Sequence, residues 1–368
     1  MAPDQVRKLL VLLKIEKRPE PSRSMIYATP VLALLLTILT GIALFTFLGV
    51  DPLEALKNFF IVPINNPYGF TELLVKATPL VLCAIGLSVG FRANVWNIGA
   101  EGQLTMGAIV GGGVFIYLHD VDSVFLLPLM VIFGIIGGAL WAAIPAFLKT
   151  RFNANEILTS LMLVYVAILV LSLLVHGPWR DPDGFNFPES RTFSESATMP
   201  ILWEGTRLHF GSIIALLVVF GTWIMLSKTL IGFQIKVIGA APKAGSYAGF
   251  SQKKIVWFCL LFGGAMAGLA GVAEVSGPVG QLLPSISPGY GFTAIIVAFL
   301  GRLHPIGIVF AGLLMALTYL GGETAQINLG LPVAVTGVFQ GMVLFYLLAC
   351  DVLVNYRFRF AQFGKAAS

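Results

Sequence analysis

The sequence predicts an all-α membrane protein that crosses the bilayer about ten times. Hydrophobic residues make up 57% of its 368 residues and charged residues only 11%, whereas soluble domains carry about 25% charged residues. Ten apolar segments reach or approach the length that a spanning helix needs, which is about 20 residues. Most of the chain is therefore expected to fold with lipid as its solvent. This composition argues against a soluble enzyme and against a nucleic-acid-binding protein.

The predicted spans follow the apolar runs in chain order. They are 28–50, 71–91, 98–118, 124–147, 155–175, 210–227, 254–275, 291–303, 305–322 and 333–350. With both chain ends in the cytoplasm, 18 of the 23 Lys and Arg fall on the inner side. The outer five are Lys57, Lys76, Arg180, Arg191 and Arg207. Because cytoplasmic loops carry such an excess, we predict a plasma (inner) membrane protein with cytoplasmic termini.

The chain divides into a leader (1–27), a transmembrane domain (28–350) and a cytoplasmic tail (351–368). The leader is basic and amphipathic, which predicts a helix lying on the cytoplasmic leaflet. A disordered basic tail is the alternative. The leader's apolar residues at helical spacing are Val6, Leu9, Leu10 and Leu13.

Two long loops interrupt the membrane domain. The outer loop 176–209 is rich in Pro, Asp, Glu and Ser, and it predicts a surface lobe or a partner contact. The inner loop 228–253 is basic and contains a short stretch able to form a helix, Pro242–Phe250. Such a helix on the cytoplasmic side would suit the docking of a motor subunit, and an ordinary basic loop is the alternative.

Two blocks of four spans, 71–175 and 254–350, enter the membrane from opposite sides, as in an inverted repeat. In the second block, 291–303 is too short to span as a helix, so the loop 277–291 is expected to dip in from outside. The stretch from Asn94 is expected to dip in from inside, with a helix from about Gln103. Two glycine-rich interruptions of opposite sense indicate a translocation path.

Polar residues in these interruptions are the candidates for the path or its gate. Glu101 is the most informative, because a charge in lipid costs about 2.5–3.5 kcal/mol. It would either face a water-filled gate or satisfy backbone amides at the start of a half-helix, where the dipole favours an anion. The full set is Asn94, Asn97, Gly99, Glu101, Gln103, Glu274, Gln281, Ser285 and Thr293.

Small residues recur four apart within the apolar segments, and they predict close packing of helices or sliding surfaces for a gate. These pairs are Gly86/Gly90, Gly107/Gly111, Gly134/Gly138, Gly264/Gly268 and Gly337/Gly341.

The residues for enzyme chemistry are missing from the sequence. The four histidines are scattered, so we assign no metal, and the three cysteines lie in apolar runs as small buried hydrophobes. No phosphate-binding GxxxxGK[ST] motif occurs, so any ATP is expected to be bound by a partner chain. We therefore expect no cofactor in this chain and no enzymatic activity of its own.

Two motifs resemble one family of transport proteins. The run Asn94-x-x-Asn97-Ile-Gly-Ala-Glu101-Gly-Gln103 resembles the signature of ABC-transporter permeases for simple sugars and nucleosides. It is most similar to the larger permease subunit of importers with a basic-membrane-protein-type nucleoside receptor. The segment Gly239–Gly249 (GAAPKAGSYAG) resembles that family's cytoplasmic coupling loop. The resemblance extends over about residues 25–355.

The resemblance implies the fold of the vitamin-B12 and ribose-type importer permeases and import by alternating access. The implied partners are a second, similar permease, a cytoplasmic ATPase with two nucleotide-binding domains and an extracytoplasmic solute-binding protein. The implied substrate is a nucleoside or a simple sugar. The residues implied to couple to the ATPase are Gly239, Ala240, Pro242, Lys243, Ala244, Tyr247 and Gly249.

Other functions remain open from the sequence. A branched-chain amino-acid permease of the same class would favour a more polar path for its zwitterionic substrate. A stand-alone secondary carrier would need further buried ionisable partners for Glu101, and the sequence offers few. A membrane-embedded enzyme has no supporting set of catalytic residues.

Overall fold

The structure is a computed structural model that describes residues 13–18 and 22–360. Helices dominate it, and we label them in chain order. They are α1 (Arg23–Phe47), α2 (Pro52–Phe60), α3 (Pro67–Arg92), α4 (Ala100–Tyr117), α5 (Leu126–Phe152), α6 (Glu156–His176), α7 (Gly211–Lys228), α8 (Leu230–Ala240), α9 (Pro242–Tyr247), α10 (Gln252–Glu274), α11 (Tyr290–Leu300), α12 (Pro305–Leu329) and α13 (Ala334–Asn355). Two short strands are also present, β1 (Leu13–Lys17) and β2 (Tyr356–Phe360).

The predicted all-α polytopic fold is confirmed. Among the described residues, eight helices are long and apolar enough to cross a membrane, namely α1, α3, α5, α6, α7, α10, α12 and α13. The two other predicted spans form α4 and α11. Helix α4 opens with the polar sequence Ala-Glu-Gly-Gln, and α11 has only 11 residues. Both therefore correspond to the segments that the sequence marked as interrupted.

The described residues fall into two compact units, of which Lys57–Leu331 is the larger. Helix α3 lies at its centre, because 89% of its apolar window is buried, compared with 22% for α6. Predicted glycine pairs allow α4, α5 and α10 to pack closely: a Cβ on Gly107 would overlap Gly268, and a Cβ on Gly138 would overlap Gly264. The predicted pair Gly337/Gly341 on α13 differs, because a Cβ there would meet no described atom within 4 Å.

The smaller unit contains the described residues up to Leu56 and those from Pro332 onward. Helices α1 and α13 pack together, with the rings of Phe45 and Phe339 stacked at 5.3 Å. In the same unit β1 pairs antiparallel with β2, so that Leu13 lies opposite Phe360.

The predicted leader helix is wrong at its described end. Leu13 belongs to a strand, whereas Val6, Leu9 and Leu10 lie outside the described residues. Backbone pairing with the distant segment Tyr356–Phe360 supplies hydrogen bonds that the helix prediction did not consider. The predicted boundaries also shift, because α1 already begins at Arg23, inside the leader, and α13 continues into the predicted tail.

Two other details of the predicted topology change. Lys76, which we counted in an outer loop, lies inside α3. Helix α4 begins at Ala100, one turn earlier than the predicted Gln103. In both cases the helix extends over polar residues whose side chains find partners within the protein, Glu323 for Lys76 and Asn97 for Gln103.

Candidate functional site

The two interrupted helices meet at their N-termini. Helix α4 follows the non-helical residues 93–99, and α11 follows the non-helical residues 280–289. Gly291 packs directly on the backbone of Glu101, and a Cβ at Gly291 would overlap the Glu101 amide nitrogen. Only glycine allows this approach. We call the contact between residues 97–103 and 287–291 the half-helix junction.

The carboxylate of Glu101 caps the start of α11. Its Oε2 accepts a hydrogen bond from the Gly291 amide at 2.6 Å, and Ser287 and Gly289 lie close to it. The side chain is buried, with 4% exposed. An anion is stabilised at a helix N-terminus by the free amides and by the helix dipole. Glu101 thus satisfies backbone amides of the opposite half-helix rather than of its own.

An amide pair fixes the turn that leads into α4. Asn97 Nδ2 donates to Gln103 Oε1 at 2.8 Å, and Gln103 Nε2 donates back to Asn97 Oδ1 at 3.1 Å. The Gly99 amide also donates to Asn97 Oδ1, at 3.0 Å. All three residues are buried. These hydrogen bonds hold the non-helical backbone in place at a position where irregular structure needs cover from the protein.

Asn94 and Ser285 do not join the half-helix junction. Asn94 is exposed and adopts a left-handed conformation at φ 57°, which Asn tolerates better than most residues. Its Oδ1 accepts a hydrogen bond from the Trp96 indole at 3.0 Å. Ser285 is exposed in the connection before α11. Asn94 therefore ends α3 with a tight turn.

The outer loop forms a lobe against the connection between α10 and α11. The Phe193 amide donates to the Gly280 carbonyl at 2.8 Å, and the Ser190 amide donates to the Leu282 carbonyl at 3.0 Å. Gln281 Nε2 donates to a carboxylate oxygen of Glu189 at 3.0 Å. Gln281 therefore lies with the outer lobe and away from the residues around Glu101.

The structure places Glu274, a candidate from the sequence, in an outer charge cluster whose other members the sequence did not single out: Glu72, Lys76, Arg207 and Glu323. Arg207 binds both oxygens of Glu72, at 2.9 and 2.5 Å, and Lys76 pairs with Glu323 at 2.8 Å. Glu274 is buried near Lys76 and Arg207. The sequence contains a signal for this cluster, because Glu72 and Lys76 lie four residues apart in an apolar segment and would be neighbours on a helix.

Thr293 lies one turn into α11 and faces a tyrosine. Its hydroxyl is 2.8 Å from the hydroxyl of Tyr319. Tyr319 in turn packs edge-on against Tyr290 at 5.4 Å. These three buried residues extend the group of buried polar side chains from the half-helix junction towards α12.

The inner loop contains two short helices with different surroundings. Helix α9 is exposed over Pro242, Lys243 and Ala244, and Tyr247 is 93% exposed. Gly249 ends this segment in a left-handed turn at φ 81°. The predicted helix over Pro242–Phe250 is therefore present, though shorter, and it offers its side chains to solvent.

Gly239 and Ala240 belong to the preceding helix α8. Ala240 is exposed, whereas Gly239 is half-buried against the last turn of α3. A Cβ on Gly239 would overlap the carbonyl oxygen of Arg92. Gly239 is thus a packing contact between the inner loop and the core.

Comparisons with known proteins identify the family. A family model described as "Branched-chain amino acid transport system / permease component" matches residues 69–348. This range includes both the half-helix junction and the inner loop.

Three relatives cover most of the chain. The glucose ABC transporter permease protein TsgB13 of Haloferax volcanii is 36% identical, over 94% of this chain and 94% of its own. The nucleoside permease NupB of Lactococcus lactis is 29% identical, over 86% and 89%. The guanosine permease NupP of Bacillus subtilis is 29% identical, over 91% and 95%. The chain is a multi-pass membrane protein that belongs to this family of ABC transporter permease components.

Proposed function

We propose that this chain is the membrane-spanning subunit of an ATP-driven importer for a nucleoside or a simple sugar. Similarity along the whole chain to permeases named for glucose, nucleosides and guanosine carries the proposal. These names also favour sugars and nucleosides over the branched-chain amino acids of the family description. The permease itself is not an enzyme and needs no cofactor, because ATP is bound and hydrolysed by a partner.

The exposed helix α9 is proposed to dock into that partner, a cytoplasmic ATPase with two nucleotide-binding domains. Its residues are exposed, apart from Gly245, whose backbone is buried beside Ile238. Closure of the ATPase would move α9 and, through α8, the half-helices. The path would then open outward to receive solute from an extracytoplasmic binding protein.

A second permease subunit is proposed to pack on the exposed glycines of α13. Gly337 and Gly341 are exposed on this helix, and neither would meet a described atom if it gained a Cβ. Glycines spaced four apart let a second helix approach closely in lipid. The partner would be a similar permease, so that solute passes between the two subunits.

The half-helix junction is proposed as the gate rather than as a tight solute site. Its polar groups bind one another, which leaves few of them to hold a solute. Weak contacts suit a permease whose receptor supplies the affinity. A path with few charges also suits an uncharged sugar or nucleoside.

Affinity purification from native membranes tests the assembly. We expect the tagged chain to retain an ATPase and a second permease, identified by mass spectrometry. Deletion of residues 239–250 should release the ATPase and leave the second permease bound. Retention of the ATPase after this deletion would contradict docking through α9.

Binding by the associated receptor tests the substrate class. We expect that receptor to bind glucose or another simple sugar, or a nucleoside, when measured by calorimetry. A receptor that ignores these solutes and binds leucine would establish the amino-acid alternative instead.

A further inference from the structure

Helix α11 is held at both of its ends. At its start the carboxylate of Glu101 accepts a hydrogen bond from the Gly291 amide. At its end the chain turns sharply through residues 301–304 into α12. This arrangement makes α11 a short rigid element whose position is set by two separate contacts, and the second one lies near the inner loop.

The turn after α11 is strained. Arg302 and Leu303 both adopt left-handed conformations, at φ 56° and 55°. Such conformations are costly for residues with a branched or long side chain, and they persist only where the surroundings fix them. Arg92, the last residue of α3, supplies this constraint. Its Nε and Nη2 both donate to the Leu303 carbonyl oxygen, at 3.0 and 2.7 Å.

Aromatic rings reinforce the link between α3 and α11. Phe91 stacks on Phe299 with centroids 5.1 Å apart, and Trp96 lies 5.1 Å from Phe91 and 5.9 Å from Phe299. Large side chains in close contact move together, since packed interiors have low compressibility. A displacement at the end of α3 would therefore carry the end of α11 with it.

The inner loop rests on the same arginine. Gly239 of α8 packs on the Arg92 carbonyl so closely that no side chain would fit between them. Beside this contact, Arg92, Gly239 and Leu303 line an inner groove of about 760 Å³. The groove leaves room for α8 to move relative to the turn after α11, while the backbone contact at Gly239 keeps α8 engaged with α3.

We propose that Arg92 is a positioning residue that transmits movement of the inner loop to α11, and from there through Glu101 to α4. Its backbone receives the movement at Gly239, and its guanidinium passes it to the Leu303 carbonyl. The inference rests on the proposed coupling to an ATPase. It adds the route by which a displacement of α9 reaches both half-helices.

Substitution of Arg92 tests the route in the complete complex with its ATPase and receptor. We expect Arg92→Gln to keep the ATPase bound within twofold of wild type. The number of solute molecules transported per ATP should fall at least tenfold, and stimulation of ATP hydrolysis by the receptor should be lost. Arg92→Lys keeps a charged donor but loses the two-pronged geometry of the guanidinium. It should therefore recover part of the transport per ATP and part of the stimulation by the receptor. Arg151→Gln, a matched change on the exposed inner end of α5, should behave as wild type.

A glycine pair provides a second test that leaves the arginine intact. Gly239→Ala forces α8 away from Arg92, whereas Gly221→Ala on α7 would meet nothing within 4 Å. We expect only the first to lower transport per ATP, with the ATPase still bound. Because Gly239→Ala leaves Arg92 unchanged, this variant still tests the route if Arg92→Gln does not fold.

Normal transport per ATP in both Arg92→Gln and Gly239→Ala would overturn the route while leaving the proposed function intact. Loss of ATPase binding in Arg92→Gln would also overturn it, since Arg92 would then support docking rather than transmission. If wild type retains no ATPase, the proposed function itself fails, so the two failures are distinguishable.

Discussion

Glu101 shows how one buried charge can connect two distant segments. Its carboxylate accepts a hydrogen bond from the amide of Gly291, which lies 190 residues further along the chain. A buried amide without an acceptor costs about 1–3 kcal/mol. The burial of the carboxylate is therefore offset by the amides it satisfies at the start of α11.

Glu101→Ala should accordingly lower the stability of the purified protein. We expect a loss of about 1–3 kcal/mol in the free energy of unfolding, because the Gly291 amide loses its acceptor. Glu101→Gln, which keeps an acceptor oxygen, should lose less. Glu204→Ala, at an exposed position of the outer lobe, is the control. Thermal unfolding in detergent measures all three. Unchanged stability and transport in Glu101→Ala would mean that the carboxylate has no role in the half-helix junction.

His209 predicts a response of the outer lobe to acid. Burial lowers the pKa of its imidazole to about 4, and its Nδ1 accepts a hydrogen bond from the Gly211 amide. Because the folded pKa lies below the ordinary value of 6.5, the unfolded state takes up the proton first. Stability is therefore intact above about pH 6.5 and declines towards pH 4, by up to about 3 kcal/mol.

Unfolding measured between pH 7 and pH 4 tests this response. His209→Asn should remove the part of the decline that comes from this group. His176→Asn, at an exposed position at the end of α6, should retain it. An identical decline in all three proteins would show that His209 does not titrate as its burial predicts.

At the level of helices, α9 exposes nearly all of its residues, with Gly245 as the buried exception. Tyr247 is 93% exposed there, and large aromatic residues often dominate binding at interfaces. We expect Tyr247→Ala to reduce retention of the ATPase at least tenfold. Tyr117→Ala, 76% exposed at the end of α4, serves as the control. Equal retention in both variants would remove Tyr247 from the docking surface.

The sequence predicted the helices well because length and apolarity alone define a membrane span. It also predicted the two interruptions, since glycine and charge before α4 and a short apolar run in α11 are local signals. The partner of Glu101 could not be predicted, because contacts between segments far apart depend on packing. The pairing of β1 with β2 was missed for the same reason, although Leu-Lys-Ile-Glu-Lys alternates as a strand does.

The outer charge cluster was not predicted from the sequence for a different reason. Glu72 and Lys76 both fall within the predicted span 71–91, but the count of positive charges placed Lys76 with the outer loops. Their pairing with Arg207 and Glu323 joins α3 to the outer lobe and to α12. Charged residues inside a predicted span therefore indicate a network of ion pairs within the protein.

For the whole molecule, the proposed orientation in the membrane rests on the distribution of positive charge in the sequence. Ser246 in α9 and Glu204 in the outer lobe are both exposed, whereas Cys83, Cys259 and Cys350 are buried. A cysteine at Ser246 should react with an impermeant thiol reagent only from the cytoplasmic side, and one at Glu204 only from outside. Labelling of both from the same side would contradict the proposed topology.

In the proposed function, this chain passes a sugar or a nucleoside across the membrane in an ATP-dependent complex. Uptake of radiolabelled glucose, guanosine and leucine into proteoliposomes tests it most directly, with the permease, its ATPase and its receptor present. Glucose or guanosine should accumulate only when ATP and the ATPase are supplied, and leucine should not accumulate. Accumulation driven by an ion gradient without the ATPase, or accumulation of leucine alone, would contradict it.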